Sequence, residues 1–521
     1  MSLSIFCRLK PTYMSTTMKR PLRETLTQPN ESFPLGAEIV TSRGIPTSGK
    51  DAALETASVL LADERFSYVS ITDNPGGNPM LPPDYLAAKL ADYAPNVVIH
   101  LSCKDFNKAG LESQLWRYAA EGFENILALS GDLPTDGYPV RSTGVFDLDS
   151  VGLLAMITAM NSGLPVKNRK QQVVNLPATD FFTGCAVNPF KQNENELVPQ
   201  YYKLLRKIKA GAKWVLPQLG YDMRKFAEVK TFLEKFNSNV PLIGNVYVLT
   251  KTAAEMFNAG VLAGCTVSDG LLADIKKYCA GEDKGKQFFK ELAAKQIAVF
   301  RGLGFTAAHI GGIAKPESFF EIADLSKQFA DDWKTFYNEI QYSDVGTFFY
   351  YDAEGRENTV LSQRKRTKNV NLFYRFSRLV HAVAFNRNRA LYPVLKSLYR
   401  FLKRDKLVCR CVSKTLHLIE SSGKNLMYGC SDCGDCGLPD TAYLCPMNSC
   451  SKNMRNGPCG GSQNGRCEAG DKNCVWTIAY DRMKYFGEWD DFKDLPPICY
   501  NAALKDTSSW ANLYLDRDHS R

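Results

Sequence analysis

Cys430, Cys433 and Cys436 follow a C-x2-C-x2-C spacing, and Cys445, before a proline, comes after eight intervening residues. Three thiolates so spaced converge easily on one metal centre, and the intervening glycines give the tight turns this needs. The first three positions match the opening of a bacterial [4Fe–4S] run, and the fourth departs from its x3 spacing. Cys409 and Cys411 lie upstream, Cys450 and Cys459 downstream, then Cys467, Cys474 and Cys499, so 11 of the 16 cysteines fall after residue 408. Eleven can serve two four-thiolate sites and leave three over. The expected ligands are Cys409, Cys411, Cys430, Cys433, Cys436, Cys445, Cys450 and Cys459. All-thiolate ligation fits iron–sulfur or zinc and excludes magnesium or calcium. A disulfide cluster would need an oxidising compartment that nothing else in the chain indicates. His417 is read as an ordinary surface histidine rather than a further ligand.

A second set of polar residues is spread through the first 310 positions. Glu38, Thr72, His100, Asp132, Gln218 and His309 each lie towards the end of a short apolar run. The runs are 34–41, 68–73, 96–103, 125–132, 181–187, 214–219, 241–248 and 305–312. They are β-branched and apolar, as in strands buried on both faces. The stretches between them are amphipathic, as at 108–122 and 194–209. Eight βα units in about 280 residues predict an α/β fold, a closed (β/α)8 TIM barrel. The runner-up, a doubly wound open sheet, would carry a Gly-rich loop after its first strand, and 42–47 (SRGIPT) is not GxGxxG. In such a barrel the C-terminal strand ends form the site. Polar groups at most of them suggest a flat heteroaromatic ligand.

The charge is as local as the cysteines. The chain carries +9, yet residues 364–406 hold 13 Lys and Arg against Asp405 alone. The remainder is slightly acidic, which argues against a nucleic-acid binder. No apolar run reaches the ~18–20 residues that cross a bilayer. Residues 1–23 hold five cations and no acid, but Pro11 and Pro21 interrupt any transit-type helix, and the free cysteines point to the cytoplasm. The expected organisation is a flexible segment at 1–32, the barrel at 33–315, a basic helical connector at 316–406 and a cysteine-rich domain at 407–521. Within the connector, Leu372, Phe376, Leu379 and Val383 form one apolar stripe. Leu391, Val394, Leu395, Leu398, Phe401 and Leu402 form another. The expectation is two helices packed on the barrel with a solvated basic face. The alternatives are docking of an acidic redox partner or of a membrane surface.

Residues 123–134 (FENILALSGDLP) resemble the strand of the methylenetetrahydrofolate reductase family that ends in Leu-Arg-Gly-Asp before a proline. Residues 68–73, 97–103, 210–222 and 304–311 are also similar to that family, over about 33–315. The cysteine-rich core at 430–459 resembles the C-terminal or small-subunit domain that accompanies acetogen-type members. The resemblance implies flavin-dependent reduction of 5,10-methylenetetrahydrofolate to 5-methyltetrahydrofolate, or its reverse, in an oligomeric enzyme. It implies Glu38 as general acid and Asp132 as the carboxylate beside flavin and pterin. It implies Gln218 as the pterin-binding amide, and Thr72, His100, Leu129, Ser130, Gly131, Asp132 and His309 as flavin contacts. Ser130 stands where the family has arginine, which leaves FAD with FMN as the alternative. Leu219-Gly220-Tyr221 replaces an aromatic-rich run, which leaves NAD(P)H open as the direct donor. The lysine expected after the fifth strand has only Lys191 nearby. Electrons would then enter from a ferredoxin or flavoprotein through [4Fe–4S] clusters in the module. The competing reading is a pterin-binding methyltransferase or methyl-carrier accessory protein with a zinc thiolate.

Overall fold

The computed structural model describes residues 19–46, 51–364 and 367–520. The strands, in chain order, are β1 (Leu35–Ile39), β2 (Phe66–Ile71), β3 (Val97–Ser102), β4 (Asn125–Leu129), the short pair β5 (Pro165–Lys167) and β6 (Val173–Asn175), then β7 (Phe182–Val187), β8 (Trp214–Pro217), β9 (Ile243–Tyr247) and β10 (Ala307–Gly311). All but β5 and β6 form one parallel sheet in the order β8-β7-β4-β3-β2-β1-β10-β9. Its two edges meet: Val215 bridges Leu242 in parallel, and the Val215 N–H donates to the Pro241 carbonyl at 2.9 Å. The sheet is therefore a closed barrel and not a doubly wound layer. Each of the eight predicted runs is one of its strands. β5 and β6 are an exposed antiparallel hairpin before β7.

Alternate residues of each strand point inward, and large and small residues are matched across the interior. Tyr68 faces Gly36, and Trp214 faces Gly184. A Cβ on either glycine would lie 2.1 and 2.3 Å from the respective ring. These rings pack with Val98, Leu127, Phe182, Leu216, Ile243 and Ala307 in a separate apolar cluster. The helix Leu22–Thr27 closes that end, inserting Leu22 and Leu26, which are fully buried. Part of the stretch expected to be flexible is thus an ordered plug, because two leucines four apart have an apolar barrel floor to cover. Residues 1–18, where the targeting reading fell, lie outside the described residues. With one end plugged, a ligand has the other end available.

The last barrel strand leads into the helix Pro316–Gln328, which returns to β2 through edge-on packing of Phe319 on Phe66. The cysteine-rich region packs on the helix Glu194–Lys209, which is buried at twelve of its sixteen positions. The connector helices Leu372–Val380 and Leu391–Leu402 form where the periodicity predicts them. Their orientation differs from expectation. Tyr374 and Ser377, and Tyr392, Tyr399 and Leu402, face inward. The stripes Leu372–Phe376–Leu379 and Leu391–Val394–Leu398–Phe401 face solvent. The tyrosines took the inner face because they find aromatic partners there: Tyr443 and Phe486 for Tyr374, and Tyr514 for Tyr392 and Tyr399. Among the described residues no helix is long and apolar enough to cross a membrane.

The floor of the barrel makes a direct stability prediction. Gly184→Ala pushes a methyl into Trp214, and overpacking of this kind costs about 1–3 kcal/mol. Gly423→Ala, in the helix Leu407–Tyr428 with nothing within 4 Å of the added carbon, should stabilise by about 0.5–1 kcal/mol. Denaturant melts of the two variants should move in opposite directions.

Candidate functional site

Glu38 is the last inward-facing residue of β1, paired with Ser70 of β2, and its carboxyl lies over Gly311 of β10. A Cβ at position 311 would stand 2.8 Å from Oε1, so only glycine leaves the carboxylate this space. Burial pushes the Glu38 carboxyl up to about 7. Asp132 comes from the turn after β4 and accepts the Gly76 N–H at 3.0 Å from the loop after β2. It is no helix cap: the next helix, Ser150–Asn161, is capped by Asp149. The buried thiol of Cys265 feels both carboxylates, after burial, as its pKa rises to about 12. Glu38 and Asp132 both stand at the C-terminal ends of their strands. Tyr247 lies close enough for its phenol to be raised by burial and then by Glu38. Gly131 holds φ +85°, and a side chain there would press on Ser102 and Lys104.

The other strand-end residues divide by depth. His100 and His309 sit inside the barrel, one layer below Glu38. Burial lowers His100 to about 4, and burial together with His100 lowers His309 to about 3. Both rings are therefore neutral at pH 7. His309 lies parallel to Tyr68 with ring centres 5.6 Å apart, and its Nε2 meets Ser70 Oγ at 3.1 Å. His100 Nε2 and His309 Nδ1 are buried without a partner among the described residues. Thr72 is buried, bound through its N–H to the Ile39 carbonyl. Leu129 packs on the interior cluster, and Ser130 exchanges contacts with Ser150 at the start of the next helix. Gln218 Oε1 accepts the Leu219 N–H, which leaves its amide N–H groups for another acceptor. Orphaned imidazole nitrogens and glycine-lined walls fit a flat, neutral, nitrogen-rich ring such as a flavin. Asp73, which accepts both the N–H and the hydroxyl of Ser102, was not anticipated. It is the last residue of the run 68–73, next to Thr72, and carries no motif.

The unforeseen feature of the site is the cysteine-rich region itself, which lies on the barrel mouth. Lys452 donates to the Gly131 carbonyl at 2.9 Å and pairs with Glu468 at 2.6 Å, with Asp132 also contributing to its surroundings. Lys191, the lysine without a clean family counterpart, donates to the carbonyls of Gly460 and Ser462. Asn188 Nδ2 reaches the carbonyls of Gly264 and Gly460. Lys203 binds the Gly457 carbonyl at 3.0 Å, and Arg206 binds Asn456 and the Pro496 carbonyl at 2.8 Å. Lys452 had no signal in the sequence beyond lying between two cysteines.

The thiols fall into two groups. Cys430, Cys433, Cys436 and Cys445 are neighbours. Burial, then Cys436 and Cys433, push Cys430 up and bring Cys445 to about 11. Cys450, Cys459, Cys467 and Cys474 line one small cavity with Glu468, Met454 and Trp476. Two of the expected ligands, Cys409 and Cys411, stand apart from the first group. Cys409 and Cys411 lie in the first turn of the helix Leu407–Tyr428. At 1.5 Å per residue that helix carries them roughly 30 Å from Cys430. Cys467 and Cys474, outside the expected set, line that small cavity with Cys450 and Cys459. Glycine-rich turns and buried soft donors suit iron–sulfur or zinc. Among the described residues no three Cys, His, Asp or Glu side chains stand at ion-ligating distance. His417 is paired with Asp432 at 2.8 Å. The described cysteines are all free.

Comparison with known proteins bears on the whole arrangement. Solved structures resembling the chain include an uncharacterized protein from Clostridium thermocellum described as binding two copies of 5-methyl-5,6,7,8-tetrahydrofolic acid. It matches at 12% identity and TM-score 0.42 over 60% of this chain and 98% of its own. A 2,3-dimethylmalate lyase matches at 12% identity and TM-score 0.30 over 60% and 96%. Likenesses this weak carry no argument. Family models do. The methylenetetrahydrofolate reductase model matches residues 47–327, more than half of the chain. The model described as methylene-tetrahydrofolate reductase C terminal matches 409–500, the region that covers the mouth. With one match over the closed barrel and the other over the region that covers it, the chain belongs to the methylenetetrahydrofolate reductase family, enzymes that are oxidoreductases.

Proposed function

We propose that the barrel binds a flavin and 5,10-methylenetetrahydrofolate at its C-terminal mouth, and that electrons reach it through the cysteine-rich module. The observation that carries this reading is the seating of that module. Lys452 on Gly131 and Lys191 on Gly460 and Ser462 hold the Cys450–Cys474 group beside Asp132. When bound, the flavin would supply hydride to the methylene carbon, and a thiolate-held cluster would relay single electrons to it.

The chain's own residues do the rest. Glu38 holds a proton near neutral pH and delivers it to N10, so that the C–N10 bond breaks and a 5-iminium cation forms. Asp132 places a negative charge beside that cation. Gln218 directs its amide N–H groups at the pterin edge. His100, His309 and Thr72 give uncharged polar contacts to the flavin, with Leu129, Ser130 and Gly131 beside it. FAD is the expected form. The donor would be a ferredoxin or flavoprotein, and the equilibrium can be drawn in either direction.

Glu38→Gln should cut turnover by about 10²–10⁴-fold and leave flavin content unchanged. In the parent protein kcat should fall above pH about 7, as the raised carboxyl ionises and the acid is lost. The variant's residual rate should be flat there. Near-parental turnover in Glu38→Gln would overturn the acid assignment.

Iron, zinc and flavin analysis of anaerobically purified protein tests the module. Cys467→Ser should lower metal content by about one site, and Cys411→Ser should leave it unchanged. A flavin-free, zinc-only protein would instead favour the methyl-transfer reading.

A further inference from the structure

Three helices after the barrel leave their apolar stripes in solvent. Phe376 and Leu379 project from Leu372–Val380, and Val394 and Phe401 from Leu391–Leu402. Leu407 and Leu418 project from Leu407–Tyr428, at 78% and 66% exposure. In the last of these, only Cys409 and Glu420 are buried out of 22 residues. The second helix packs on the third and on the turn His381–Phe385 that ends the first, so the three helices are neighbours. Exposed large apolar side chains gathered on neighbouring helices mark an interaction site.

The fringe of this surface is cationic. Arg378, Lys396 and Arg410 have carboxylate partners, Glu488, Asp516 and Asp405. Arg389, Arg400, Lys403, Lys406 and Lys414 have none among the described residues. Arg404 lies over the Phe401 ring at 4.9 Å, an apolar side chain and a cation sharing one position. Three occupants can be weighed. A second copy would bring like charge against like. An electron-transfer protein docks over a small, charge-dominated area, which does not call for stripes of Leu, Val and Phe on three helices. Amphipathic helices with bulky apolar residues on one face and Lys and Arg around it are built for the boundary of an anionic bilayer.

We propose that the helices spanning 372–428 seat the protein on an anionic membrane surface, without crossing it. This goes beyond the reductase reading and does not depend on it. Helix Leu407–Tyr428 ends two residues before Cys430, so the seated segment leads in the chain directly to the first thiol group.

Flotation of the full-length protein with vesicles tests this. It should float with phosphatidylcholine vesicles containing phosphatidylglycerol and remain behind with phosphatidylcholine alone, and the binding should fade with salt. Removing one fringe cation, as in Lys403→Gln, should weaken binding roughly fivefold. Val394→Ser with Phe401→Ser should abolish flotation. Both side chains are solvent-exposed, so the melt and the flavin content should match the parent. Failure to float on either vesicle overturns the proposal. So does a dimer, seen by light scattering, that the double variant dissolves, because the face then belongs to a second copy. Flotation undiminished in the double variant also overturns it.

Discussion

A few buried cations hold this protein together where its chemistry lies. Lys191, Lys203, Arg206 and Lys452 are all nearly sealed from water, and each ends on carbonyl or carboxylate oxygens across the boundary between barrel and module. Taking such charges out of water is costly, and only well-placed acceptors offset the cost. Asp149 supplies one of those offsets. It caps the helix Ser150–Asn161, accepts both Asn456 N–H groups and faces Lys203. Burial works to raise its carboxyl, but Lys203 and these donors outweigh it and hold it below the usual range. One aspartate thereby ties the barrel helix, the module backbone and a buried lysine into one unit.

The same dryness sets the character of the mouth. Desolvation disfavours every charged form. It raises Glu38 towards neutrality and keeps the imidazoles of His100 and His309 uncharged. Inside the barrel, then, stand neutral polar groups suited to a heteroaromatic ring. At the rim stand Asp132 and, from the module, Lys452. Charge is admitted where the module can answer it and excluded where it cannot.

Much of the architecture was legible beforehand. The eight strands follow from β-branched apolar runs separated by amphipathic stretches, a local pattern that survives tertiary packing. Glu38 and Asp132 were legible for the same reason, since a strand's C-terminal end in a barrel is a position defined by periodicity. The cysteine sets were not. Cys467 and Cys474 follow no regular spacing, and their approach to Cys450 and Cys459 depends on how the glycine-rich loops fold back. Cys409 and Cys411 looked like neighbours of Cys430 only while the helix between them was unaccounted for. The connector stripes were legible as stripes. Their outward direction depended on the aromatic partners Phe486 and Tyr514, more than a hundred residues away.

The sequence by itself determined the barrel, its working end, the carboxylates at that end and the existence of a thiol-rich module. These follow from periodicities of two and 3.6 residues and from the donor chemistry of cysteine, which are local properties. The tertiary structure alone decided that the module covers the mouth, that Lys452 meets Gly131, which thiols are neighbours, and that three apolar stripes look outward. Each of these is a contact between residues far apart in the chain, and burial with its desolvation cost exists only once such contacts form.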